Sequence, residues 1–237
     1  MLSEWSTYRL SDFLLFSERV YRRLFEVHNE AWWALPIVFA TAGLLGLAIA
    51  VRTPGEPRLD GSGIAVVLWI GLGSVWLFVA LAFLHARYLP INPIASIGAW
   101  AFAAQAVALA ALAFTGRAET GMLRRVVGAA FIVWGVVLYP AWAFWRDGSL
   151  AAAEWFGMAP DPTAVATIGF IVAAVRGRAL ATLLCLVPIA WCTASALTLR
   201  AMDERQIEGN AAPRLGVVTQ AATAGSPVTR QGGMVHA

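Results

Sequence analysis

The sequence predicts an all-α polytopic membrane helical bundle: about six transmembrane helices behind an N-terminal amphipathic interfacial helix. Three observations predict it. The chain is 59% hydrophobic and only 13% charged, with a mean hydropathy of +0.69, far from the balance of an ordinary soluble domain. Apolar runs of about twenty residues, the length that crosses a bilayer, recur along it. Short polar turns rich in Gly, Pro and Arg separate them.

Residues 1–31 lack the continuous apolarity of a span. Phe13, Phe16, Val20, Leu24, Val27 and Ala31 recur every three or four residues, and Arg19, Arg22, Arg23, Glu26 and Glu30 fill much of the rest. That is the pattern of an amphipathic helix with a wide polar face, suited to the membrane interface. The first span is expected at about 32–51, opening on Trp32 and Trp33 as interfacial anchors, with Ala42 and Gly46 as a small-residue pair. The second, about 64–84, carries Trp69, Trp76 and Phe83 at heptad spacing, a packing stripe. The third, about 94–114, follows the stiff turn Leu89-Pro90-Ile91-Asn92-Pro93 and holds one strongly polar residue, Gln105. The fourth, about 126–145, has Gly128 and Gly135 on one face and Pro140 near its end. The sixth, about 179–199, contains Pro188, where a kink is expected. Residues 200–237 read as a polar tail, disordered from about Gly209.

The fifth span, about 162–175, is the unusual one. Its fourteen residues cover only about 21 Å of a hydrocarbon core about 30 Å thick. It follows Phe156-Gly157-Met158-Ala159-Pro160-Asp161-Pro162-Thr163, in which two prolines bracket an aspartate. Asp161 is expected to be the N-cap and Pro162 the first helical residue, with Thr163 and Thr167 on one face. A helix that starts below the membrane surface presents its positive end to the interior. A carboxylate already answers that end, so a ligand there would be a proton or cation rather than an anion.

The expected polar cluster is Asp161, Thr163, Thr167, Arg87, His85, Asn92 and Gln105. Gly157, Pro160, Pro162, Pro93, Pro140 and Pro188 serve as loop and kink residues. Each has a plainer reading: Asp161 as a helix cap, His85 and Arg87 snorkelling to the interface, Asn92 capping a turn, Gln105 bonding a neighbouring helix. The chain has no His-x-x-His, no Cys-x-x-Cys, no phosphate-binding glycine loop and no nucleophile elbow. No catalytic residues, no metal site and no cofactor are expected, and the chain is not read as an enzyme. Cys185 and Cys192, seven residues apart on one helix face, are too far apart to bridge and read as small buried hydrophobes.

All seventeen basic residues are arginine, a bias of high-GC coding that points to a bacterium and its inner membrane. The arginines lie at span ends, not in a basic patch interleaved with aromatics, so no nucleic acid is expected. The partners expected are the lipid bilayer and either a second copy of the chain or a membrane protein. An even number of spans puts both termini on one side. The arginines divide evenly between the two sides, and the cytoplasmic assignment of the termini rests on the lack of a signal to carry the N-terminal flank across. Two functions fit: permease-like handling of a small solute or ion, and a non-transporting membrane scaffold or assembly partner.

Several of these segments resemble the bacterial multipass family catalogued as domain of unknown function 6064. The resemblance lies in Ser11-Asp12-Phe13-Leu14-Leu15-Phe16-Ser17 with Tyr21, Leu24, Phe25 and Glu26; in Ile91-Asn92-Pro93-Ile94-Ala95 with Gln105; and in Phe156-Gly157 through Pro160, Pro162 and Thr163 with Thr167 and Gly169. It covers most of residues 8–200 and implies an integral membrane protein of about six helices, with no established activity. The loose permease label given to some members is implied with it. The family often carries cysteine between the two prolines; Asp161 stands there in this chain, which argues against a thiol or soft-metal role for the loop.

Overall fold

The computed structural model describes residues 16–51, 61–114, 120–175 and 177–224, and among them the fold is entirely helical. Helix α1 is Glu18–Ala31 and α2 is Leu35–Val51. Helix α3 runs Gly61–Phe78 and continues in wider π turns through Val79–Tyr88. Helix α4 is Ala95–Ala111, tightened at its end over Leu112–Phe114. Helix α5 runs Met122–Val133, passes a π segment Trp134–Leu138, and ends with Tyr139–Asp147. Helix α6 is Pro160–Ala174 and α7 is Arg178–Ala224. Residues 15–197 form one compact unit, and α7 from Thr198 onward belongs to a separate one.

Among the described residues four helices are long and apolar enough to cross a membrane: Gly63–Tyr88, Ala95–Phe114, Met122–Arg146 and Arg178–Glu204. The pair α1–α2, bent by 87°, makes five if taken as one broken span. The exact count of six is not reached by length alone: α6, expected to be short, has 15 residues and falls below that length. The outward faces are apolar. Trp100, Val107 and Phe114 are 79%, 71% and 87% exposed, a surface that suits lipid and that water would not tolerate over such an area.

Several boundaries differ from expectation for local reasons. Helix α1 begins at Glu18 instead of extending back toward Asp12, because Ser17 caps it, its side chain accepting from Val20 N at 3.4 Å; residues 1–15 lie outside the described part. Residues 32–34 form the turn between α1 and α2, so the first span starts at Leu35. Ala42 faces outward, and the close approach on α2 belongs to Gly43 and Gly46, which pack on Val136 and Phe170. Helix α7 continues through Pro188 and past Leu199 to Ala224, into the stretch expected to be disordered. The first part of that extension, Arg200-Ala-Met-Asp-Glu-Arg-Gln-Ile-Glu, contains neither Gly nor Pro and is rich in helix formers, and nothing in the sequence accounts for the helix beyond Gly209. In α5 the π turn just before Pro140 absorbs the carbonyl clash that proline makes in a regular helix.

Helix α1 packs on the end of α3 through rings: Phe25 stacks on Phe83 with centroids 5.0 Å apart, and Phe16 meets Tyr88 edge-on at 5.7 Å. His28 lies between Phe78 and Phe83 with no exposure, and neither ring nitrogen has a hydrogen-bond partner among the described residues. Burial, followed by the Arg87 guanidinium, pushes its pKa down to about 4. The unfolded chain therefore binds the proton first as the pH falls. The stability held by neutral His28 is complete above about pH 6.5 and is lost toward pH 4, a swing of about 3 kcal/mol. Thermal unfolding of the protein in nanodiscs, followed by tryptophan fluorescence, should show that acid loss. In His28→Leu it should be largely absent, with stability at pH 7 no lower than in the wild type. Parallel pH curves for the two proteins would rule the effect out.

Candidate functional site

Helix α6 lies deep inside the unit formed by residues 15–197. Twelve of its fifteen residues are buried, an enclosure that its small residues make achievable. Against α5 the two backbones nearly touch: a methyl group added to Gly128 would lie 2.6 Å from the Gly169 carbonyl oxygen, and one on Gly135 would lie 2.5 Å from the Pro162 carbonyl oxygen. Phe170 meets Gly46 of α2, and Thr167 accepts a hydrogen bond from the Trp76 indole of α3 at 2.7 Å.

A helix buried at both ends must satisfy its terminal backbone groups without water. At the C-terminal end Thr120 donates to the Ala173 carbonyl at 2.6 Å, and Arg124 donates to the Val175 carbonyl at 3.1 Å. The arginine also suits the negative end of the helix dipole. At the N-terminal end Pro160 and Pro162 have no N–H to satisfy, which removes two of the usual orphan donors. The chain enters through a turn in which Gly157 has φ +80, a left-handed conformation that glycine adopts without strain. Thr163 closes that turn, accepting from Gly157 N at 2.8 Å and donating to the Ala159 carbonyl at 2.6 Å.

The expected cap is thereby corrected. Ala159 is the N-cap, Pro160 the first helical residue and Asp161 the second. With Thr163 serving the turn, the Asp161 carboxylate is released from local capping and reaches other helices. It accepts from Trp191 Nε1 of α7 at 2.6 Å, from Tyr139 Oη of α5 at 3.2 Å, and from Ser195 Oγ of α7 in a short hydrogen bond. Its residue exposure is 6%. All three donors are neutral, and no basic group bonds to it among the described residues.

Glu154 lies in the connection between α5 and α6, with its Oε2 buried and unpartnered among the described residues. Burial and then the Asp161 charge push its carboxyl well above the usual range, partly offset by the Arg146 guanidinium. The connection is tied to α1 by Asn29, whose Nδ2 donates to the Ala151 and Ala153 carbonyls at 2.8 and 2.9 Å.

The expected cluster therefore divides. Asp161, Thr163 and Thr167 are gathered on α6. Gln105 of α4 donates to the Leu184 carbonyl of α7 at 2.9 Å and acts as a tie between helices. Asn92 caps a turn, its Oδ1 accepting from Ile94 N and its Nδ2 donating to the Tyr88 hydroxyl, both at 3.2 Å. Pro93, exposed, lends that turn a carbonyl for the Ser96 hydroxyl at 2.8 Å. His85 is exposed, and Arg87 faces α1. Neither bonds to Asp161 among the described residues.

Tyr139, Trp191 and Ser195 went unrecognised in the sequence. Trp191 and Ser195 stand four residues apart on one helix face, and that spacing was the available signal. Cys185 and Cys192 are free thiols, and among the described residues no group of acidic, histidine or cysteine side chains is placed to hold a metal ion.

Short buried α6, ringed by longer apolar helices, defines an all-helical protein with several segments able to cross a membrane and one interhelical carboxylate at its centre. The chain belongs to the family of unknown function DUF6064, whose model matches residues 18–204. No curated protein and no solved structure matches it.

Proposed function

We propose that this is a small multi-pass protein of a bacterial inner membrane, with both termini cytoplasmic, that handles a proton or small cation in a permease-like manner. The reading is carried by Asp161: a buried carboxylate at the positive end of a short helix, held by neutral donors from two other helices and cancelled by no basic partner among the described residues. Ionisable groups buried in apolar bundles are costly, and in membrane proteins they mark ion and proton pathways. Glu154, whose carboxyl burial pushes well above its usual range, gives Asp161 a companion able to carry a proton. The donors can follow the carboxylate as it loses or gains charge, since the Tyr139 and Ser195 hydroxyls can both accept as well as donate.

Proteoliposomes loaded with a pH-sensitive dye, and in parallel with alkali-cation indicators, test this. Wild-type protein should conduct one of these ions. Asp161→Asn, and separately Tyr139→Phe, each verified as folded by tryptophan fluorescence and size exclusion, should reduce the flux toward that of empty vesicles. Wild-type flux equal to that of empty vesicles, or an Asp161→Asn flux equal to wild type, would refute the proposal.

One observation favours a second reading, that of a non-transporting scaffold. Trp33, Trp100 and Trp145 are 77%, 79% and 75% exposed, an aromatic rim that a partner protein could cover. Photo-cross-linking from these three positions in native membranes should then trap a discrete protein, and cross-links to lipid alone would exclude it.

A further inference from the structure

A groove of about 500 Å³ opens between α1 and the last turn of α3. Its polar side is made by Arg19, Arg23 and Arg87, and its floor is apolar, with Leu24, Pro90 and Ile91 among the lining residues. Arg23 is engaged by Glu26 at 2.7 Å and more distantly by Glu30 at 3.9 Å. Among the described residues, Arg19 and Arg87 have no carboxylate partner and no acidic residue lines the groove. Two guanidiniums facing one groove from separate helices repel each other, and an anion placed between them removes that cost.

We propose that this groove holds the headgroup of an anionic phospholipid. The two arginines would bind the phosphate, a geometry for which the guanidinium fork is suited. The apolar floor would take the glycerol and the first carbons of the tails. Three features select a lipid over a soluble anion: an amphipathic helix forms one wall, the end of an apolar helix forms the other, and the lining is largely hydrocarbon. The proposal does not depend on ion handling at Asp161.

The test compares full-length protein in phosphatidylcholine nanodiscs with protein in nanodiscs containing phosphatidylglycerol, using native mass spectrometry to count retained lipid and tryptophan fluorescence to follow unfolding. Wild type should retain phosphatidylglycerol in preference to phosphatidylcholine and should unfold at a higher temperature in its presence. Arg19→Gln with Arg87→Gln should weaken the retention about 30-fold, at about one arginine's worth of surface attraction each, with no change in phosphatidylcholine alone. Arg19→Lys with Arg87→Lys, which keeps the charge but loses the fork, should fall between. Arg178→Gln, outside the groove, should match wild type. Equal retention by wild type and the double glutamine variant overturns the proposal. So does stabilisation by inorganic phosphate in phosphatidylcholine nanodiscs, which would mark a soluble-anion site.

Discussion

Gly135→Leu is expected to prevent stable folding of the membrane core. A Cβ at this position would sit 2.5 Å from the Pro162 carbonyl oxygen and 2.7 Å from the Ala166 nitrogen, both backbone atoms of α6. A flexible side chain could turn away from the intruder, but a helix backbone cannot. The two helices would have to separate, opening the contacts of a segment that is almost wholly enclosed. Overpacking of a tight core costs about 1–3 kcal/mol and more when backbone must move, so a loss above about 3 kcal/mol is expected here. Gly71→Leu is the control, because nothing lies within 4 Å of the Cβ it would add, and there the gain in helix propensity should leave stability unchanged or slightly raised. Thermal unfolding of both variants in micelles, with size exclusion to detect aggregation, decides the matter. Similar, mild losses in the two would mean that α5 and α6 do not cross so closely.

Asp161→Ala carries the second large effect. Removing the carboxylate leaves the Tyr139 hydroxyl, the Trp191 indole N–H and the Ser195 hydroxyl, all half-buried, without their acceptor. A stranded buried donor costs about 1–3 kcal/mol, and three half-buried ones sharing one acceptor should together cost about 2–4 kcal/mol. Asp161→Asn keeps one acceptor oxygen but turns an amide donor toward the other two groups, so it should lose less than alanine and more than Ser195→Ala, for which about 1 kcal/mol is expected. Denaturant unfolding in a single detergent would order the three. Were the alanine variant as stable as wild type, the carboxylate would not be the junction of α5, α6 and α7.

The spanning helices were legible because most are apolar runs of near-bilayer length set between arginine- or proline-marked turns, and the shortness of α6 was visible in the distance from Pro162 to Val175. Gly128 and Gly135, seven apart, announced a close helix contact without naming the partner. Which faces meet is a tertiary matter that hydropathy does not carry. Tyr139, Trp191 and Ser195 become site residues only because α5 and α7 present them to the same carboxylate. Arg87 and Asp161 were placed in one cluster because a chain of alternating crossings puts both loops at one face. The structure turns Arg87 toward α1. The cap was misplaced by two residues because Thr163 performs locally what a capping aspartate would have done.

Helix α6 is held at its tail by Thr120 and Arg124 and at its head by the Thr163-locked turn. An axle clamped at both tips cannot slide. If the protein handles an ion as proposed, movement at this site would fall to α7, which meets the carboxylate through two side chains one helical turn apart. A tilt that draws Trp191 and Ser195 off Asp161 would uncover the charge, and the return would hide it again.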